Sequence, residues 1–189
     1  SFINMSMLID CFCHMGQIGY AFSVLGMIFK LGYECDVINL TTLMKGLCIT
    51  GKVKSALEFH DEVRAQGYQL NEVTYGTLIN GLCKISQTRA AIELMQKLQS
   101  QPIKLDVVMY NTIIDGLCKE GLVNEARKYF SDMIASGISP DVVSYNSLIH
   151  ALCCVDKLED ATQLLKQMVQ TSIKPSLHTY SILIDALCK

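Results

Sequence analysis

The sequence predicts an all-α protein, a solenoid of helical-hairpin repeats, and three observations carry that expectation. The segment Val108-Met109-Tyr110-Asn111-Thr112-Ile113-Ile114-Asp115-Gly116-Leu117-Cys118-Lys119 has near-copies at Val73 to Lys84, Val143 to Cys154 and His178 to Lys189. A cysteine marks the step: Cys13, Cys48, Cys83, Cys118, Cys153 and Cys188 stand 35 residues apart. A period of that length signals stacked supersecondary units rather than a closed domain. Hydrophobic residues make up 50% of the chain, yet no apolar run reaches the ~18 residues of a membrane span. A stack reconciles the two, because each unit buries both flanks against its neighbours.

The period divides the chain into full repeats at 2–36, 37–71, 72–106, 107–141 and 142–176, with a partial repeat at 177–189. In the fourth, Val108 to Lys119 places Ile113, Ile114, Leu117 and Cys118 on one helical face. Gly121 breaks that helix. A second helix, Val123 to Ser136, carries the stripe Ala126, Tyr129, Phe130, Met133 and Ile134. Gly137 closes it, Pro140 prevents continuation, and Asp141 is placed to cap the next helix. The first repeat uses Gly16 and Gly32 in the same places, and the second Gly51 and Gly67. The third has Ser86 at the turn and Pro102 at the end, and the fifth has Asp156 at the turn and Pro175 before the cap. Ala21, Ala56, Ala91, Ala126 and Ala161 recur where second helices must approach a neighbour closely.

The chain begins inside one repeat and stops after the first helix of another, so we expect a piece of a longer protein, with any targeting segment outside it. The final helix should then expose an apolar face (Ile182, Leu183, Leu187) that self-association or a crystal contact would hide.

Nine cysteines would suit a disulfide framework, but equivalent positions on stacked helix pairs lie ~10 Å apart, beyond the ~7 Å limit for bridging. Zinc is not expected either, since no C-x-x-C pair occurs and His14, His60, His150 and His178 keep no ligand spacing with a thiol. The recurring cysteines read as small apolar fillers in a reducing compartment. No nucleophile, phosphate-binding or metalloenzyme motif is present, so neither catalysis nor a cofactor is expected. A net charge of −2 makes the chain no polycation; contact with nucleic acid would depend on where charge sits.

Three polar columns vary while the core repeats. Ser6, Thr41, Gly76, Asn111, Asn146 and Ser181 stand early in the first helices. Asp10, Lys45, Asn80, Asp115, His150 and Asp185 follow one turn on, then His14, Ile49, Lys84, Lys119, Cys154 and Lys189. Steps of four residues align them on one stripe away from the core. Gly76 in a helix costs ~1 kcal/mol relative to Ala, which an indifferent exposed face would not select. A further column, Asp36, Asn71, Asp106, Asp141 and Ser176, closes each repeat. These are preferred N-cap residues, and capping accounts for that column on its own.

With this period, the V-x-Y-N-x-L-I-x-G-L-C-K helix and the G-I-x-P-D closing turn, the whole chain resembles the pentatricopeptide repeat family. It is most similar to plain arrays of the restorer-of-fertility type from plant organelles. The resemblance implies a right-handed superhelix that binds single-stranded RNA, one base per repeat. It also implies a mitochondrial, less readily plastid, location and a role in RNA processing. The family's base-reading residues fall on Ser6 with Asp36, Thr41 with Asn71, Gly76 with Asp106, Asn111 with Asp141, and Asn146 with Ser176. Ile3, Ile38, Val73, Val108 and Val143 match residues that sandwich each base, a place where His178 departs from the pattern. Lys84 and Lys119 match a lysine near the phosphates; Ile49 and Cys154 depart from it.

The chemistry of the pairs agrees with that assignment. Ionised Asp only accepts hydrogen bonds, so Asp36, Asp106 and Asp141 should select the imino N–H of G or U, whereas Asn71 can donate and should select A or C. Short Ser6, Thr41 and Gly76 leave room for a purine, and Asn111 and Asn146 reach a pyrimidine. The family's pairing rules, with the N-terminal repeat reading the 5′ base, imply the target 5′-GAGUC-3′. A helical-repeat scaffold holding a peptide is the alternative.

Overall fold

The protein is described here by a computed structural model covering residues 2–98 and 103–188. Pro102 and Lys189 lie outside the described residues. The chain divides into two compact units, Ser1–Lys104 and Leu105–Lys189.

The first unit holds α1 (Phe2–His14), α2 (Ile18–Lys30), α3 (Val37–Ile49), α4 (Val53–Ala65), α5 (Glu72–Lys84) and α6 (Thr88–Leu98). The second holds α7 (Val107–Lys119), α8 (Val123–Ala135), α9 (Val142–Cys154), α10 (Leu158–Gln170) and α11 (Leu177–Leu187). No strand occurs among the described residues. In the first unit α1, α3 and α5 stack on one another, and each pairs with its own second helix, α2, α4 or α6. The second unit repeats the scheme, with α7, α9 and α11 stacked and α8 and α10 behind them.

Each hairpin arises from local signals. Asp36, Asn71, Asp106, Asp141 and Ser176 all have extended backbone, and each side chain accepts from the backbone N–H three residues on. That satisfies a donor the helix itself leaves unpaired. At the far end of α8, Gly137 N donates to Ile134 O and Ile138 N to Met133 O, and Gly137 takes φ +74°. A Cβ there would face the carbonyl, so glycine suits the position. Ser86, Asp156 and Ser172 hold the same left-handed conformation with side chains, at φ 56°, 55° and 64°.

Packing sets how closely repeats approach. Ala21, Ala56, Ala91, Ala126 and Ala161 are all fully buried. The recurring cysteines meet a glycine of the next first helix: a Cβ on Gly46 would lie 2.7 Å from Cys13 Sγ, and one on Gly81 2.5 Å from Cys48 Sγ. Neither glycine can gain a methyl group unless the facing cysteine, and at Gly46 also Ile18, moves away. Burial, aided by the Asp10 carboxylate, pushes the Cys13 thiol up to about 11, so it packs as a neutral group. Filling is incomplete toward the end of the series: Cys83, Cys118 and Cys153 are half-buried and Cys188 is exposed.

Two expected faces need correction. On α8, Ala126, Phe130 and Met133 are buried, but Tyr129 is only partly so and Ile134 is exposed. The helix turns about 100° per residue, which carries residue 134 past the edge of the stripe. On α11, Ile182 is buried rather than exposed, because α11 packs against α9. The exposed apolar residues of that helix are Leu177, Tyr180, Ile184 and Leu187. No described helix is long and apolar enough to cross a membrane.

Candidate nucleic-acid interface

The extended cap residue and the first turn after it place three side chains in one small volume. The cap residue stands at the mouth of a first helix. The residue three positions later points back at it, and the inner residue of the preceding first helix meets both. Asn111 Nδ2 donates to Asp141 Oδ1 at 3.0 Å, so a residue of α7 and the cap of α9 are directly joined. Thr41 Oγ1 and Thr74 Oγ1 are 2.7 Å apart, and Thr74 Oγ1 donates to Asn71 Oδ1 at 3.2 Å. Thr179 Oγ1 donates to Asn146 Oδ1 at 2.7 Å and lies 3.1 Å from Ser176 Oγ. Three of the five expected couples are therefore brought together, one directly and two through a hydroxyl.

The other two couples stand as follows. Ser6 is half-buried on α1, and Asp36 caps α3 by accepting from Asn39 N at 2.8 Å. Gly76 belongs to the first unit and Asp106 to the second. Asp106 Oδ1 accepts from Met109 N at 2.9 Å.

Burial and hydrogen bonding pull on Asp141 in opposite directions. Burial alone raises a carboxyl, but hydrogen bonds donated by Ser144 N, Asn111 Nδ2 and Val143 N outweigh it and hold the group below its ordinary value. Asp141 is therefore an ionised acceptor at neutral pH.

The aliphatic column stands in solvent. Ile3, Ile38, Val73, Val108 and Val143 are 69%, 71%, 66%, 62% and 55% exposed. Packing at the helix start leaves more than half of each of them in solvent. Such side chains cost solvation unless a flat apolar partner lies against them. His178, at the same place in the partial repeat, is also exposed. A groove of 630 Å³ in the second unit is lined by Val143 and His178 together with Asn146, Lys119 and Asp115. Lys84 is exposed. Lys119 Nζ sits 2.6 Å from Asp115 Oδ2, so part of its charge is already met within its own helix.

Sequence reasoning missed the residues three positions after each cap: Asn39, Thr74, Met109, Ser144 and Thr179, each nearly or fully buried. The signal was present in the capping-box spacing D-x-x-S at 141–144 and the S-x-x-T at 176–179. Among the described residues, no group of three or more His, Cys, Asp or Glu could hold a metal ion.

Comparison with known proteins gives the following. A model of the PPR repeat family matches residues 36–84, 105–154 and 140–189, and a PPR repeat model matches 4–33 and 73–103. The crystal structure of the pentatricopeptide repeat protein PPR10 from maize superposes with a TM-score of 0.87 at 28% identity, over 100% of this chain and 27% of that one. The same maize protein in complex with an 18-nucleotide psaJ RNA element gives 0.84 at 28% identity, over 100% and 28%. The PPR domain of Arabidopsis thaliana protein-only RNase P 1, in complex with tRNA, gives 0.77 at 12% identity over 97% and 96%, a likeness of fold. The chain thus spans about a quarter of the maize protein's length.

Proposed function

Because the chain belongs to the pentatricopeptide repeat family, we propose that it binds single-stranded RNA sequence-specifically, one base to each repeat. Polar couples read the base edge, and the aliphatic column holds the base faces. The observation that carries this reading is the hydrogen-bonded couple Asn111–Asp141 beside the exposed Val108 and Val143. A nucleobase needs that combination, with apolar walls for its faces and a fixed donor–acceptor set for its edge. The maize relative, solved with an 18-nucleotide RNA, supports it.

On this reading Ser6 with Asp36 takes G, Thr41 with Asn71 takes A, Gly76 with Asp106 takes G, Asn111 with Asp141 takes U, and Asn146 with Ser176 takes C. The target is 5′-GAGUC-3′, with Lys84 and Lys119 near the backbone. Likeness to restorer-of-fertility arrays supports a role in mitochondrial RNA processing for the whole protein.

A gel-shift with single-stranded RNA containing GAGUC, against the same sequence as DNA and as duplex RNA, tests the proposal. It expects binding to the single-stranded RNA, weakened by changing any of the five bases. Equal, steeply salt-dependent binding to all three would mark mere phosphate attraction and overturn it.

A further inference from the structure

Resting on that reading, we propose that the buried hydroxyl three positions after the caps Asn71, Asp141 and Ser176, at Thr74, Ser144 and Thr179, is a positioning residue that fixes which hydrogen-bonding face its couple presents. The amide of Asn111 can point either way, and an Asn that flips presents an acceptor where a donor stood. Ser144 removes the choice. Its Oγ donates to Asn111 Oδ1, its backbone N donates to Asp141 Oδ1 at 2.9 Å, and Asn111 Nδ2 donates to the same Oδ1. Three residues close a ring. One Nδ2 hydrogen of Asn111 and the spare acceptor capacity of the Asp141 carboxylate remain for a ligand. A donor beside an acceptor complements uracil, whose edge offers a carbonyl oxygen beside an imino N–H.

The second repeat reverses the polarity with the same device. The single hydroxyl hydrogen of Thr74 serves Asn71 Oδ1, which also accepts from Thr74 N at 3.2 Å. Thr41 must then donate to Thr74 across their 2.7 Å contact. What remains is a lone pair on Thr41 and the Nδ2 donor of Asn71. An acceptor beside a donor complements adenine, whose edge offers an amino group beside a bare ring nitrogen. Thr74 and Ser144 are both fully buried, so neither touches the base; each acts through its couple. In the fifth repeat Thr179 holds Asn146 Oδ1 in the same way.

The test measures binding of the full chain and of its S144A, S144T and T74A variants to single-stranded GAGUC RNAs varied at the fourth base or at the second. The proposal expects S144A to lose about tenfold of the fourth-base preference, as for one good base contact, while the second-base preference stands. S144T should restore it, and T74A should show the mirror pattern. An S144A protein that keeps its fourth-base preference overturns the inference and leaves the one-base-per-repeat reading intact. Equal loss at both positions also overturns it, since that marks general damage to the fold. If the unsubstituted protein shows no base preference at all, both the reading and the inference fall.

Discussion

Asn111 and Asp141, thirty residues apart in sequence, are joined by a 3.0 Å hydrogen bond in which the amide donates to the carboxylate. Both partners belong to the folded chain, so the bond contributes to folding stability. It also makes the couple's chemistry measurable through stability, without RNA.

The first prediction is a pH dependence. Asp141 is held below its ordinary value by hydrogen bonds that outweigh its burial. For a carboxyl depressed in the folded state, the stabilisation is present above the unfolded value, about 3.9, and is lost as pH falls through the folded one. Asp141→Ala should cost about 1 kcal/mol at neutral pH through the lost cap. The gap between the two proteins should shrink below about pH 4. Denaturant titrations from pH 7 to pH 2 check this, and a constant gap contradicts it.

A second concerns the spacing of repeats. Gly81→Ala places a Cβ 2.5 Å from Cys48 Sγ and 2.9 Å from Cys48 Cβ. We expect a loss of roughly 1–3 kcal/mol from overpacking. Cys48→Ala in the same chain should recover part of it by removing the sulfur, the 2.9 Å approach to the Cβ of residue 48 remaining. Additive losses in the double variant would show that the two residues do not share the space.

The third uses the left-handed turns. Ser172 holds φ 64° where Gly137 serves the fourth repeat at φ 74°. Ser172→Gly should raise stability by about 0.5–1 kcal/mol, relief of the left-handed strain outweighing the extra freedom of the unfolded chain. Thermal unfolding reads the sign directly.

The fourth lies at Asn39, buried three positions after the Asp36 cap, whose Nδ2 has no hydrogen-bond partner. An unmet buried donor costs 1–3 kcal/mol. Asn39→Thr, the residue at the same place in the third and sixth repeats, should stabilise by about 1 kcal/mol. A loss of stability would mean that the amide has a role the hydroxyl cannot fill.

Much of this was legible in the sequence because a repeat states its rules several times. Hairpin limits followed from the glycine, proline and cap residues of the period; spacing gave the two polar columns, and the family resemblance paired Asn111 with Asp141. What escaped has physical causes. Ile134 fits the apolar spacing of α8, but its angle about the helix axis sets it at the edge of the buried stripe. Ile182 was counted as exposed because α11 has no helix after it, although α9 covers it from before. Ser144 and Thr179 look like ordinary capping residues; only coordinates reveal that the same hydroxyl reaches back to the preceding repeat.

The central claim is most directly tested by Asn71→Asp. Replacing a side chain that can donate with one that only accepts should switch the second base from A to G, so the variant prefers GGGUC where the parent prefers GAGUC. The change in discrimination should be on the order of 1–3 kcal/mol. Equal binding of the variant to the two RNAs would contradict the account.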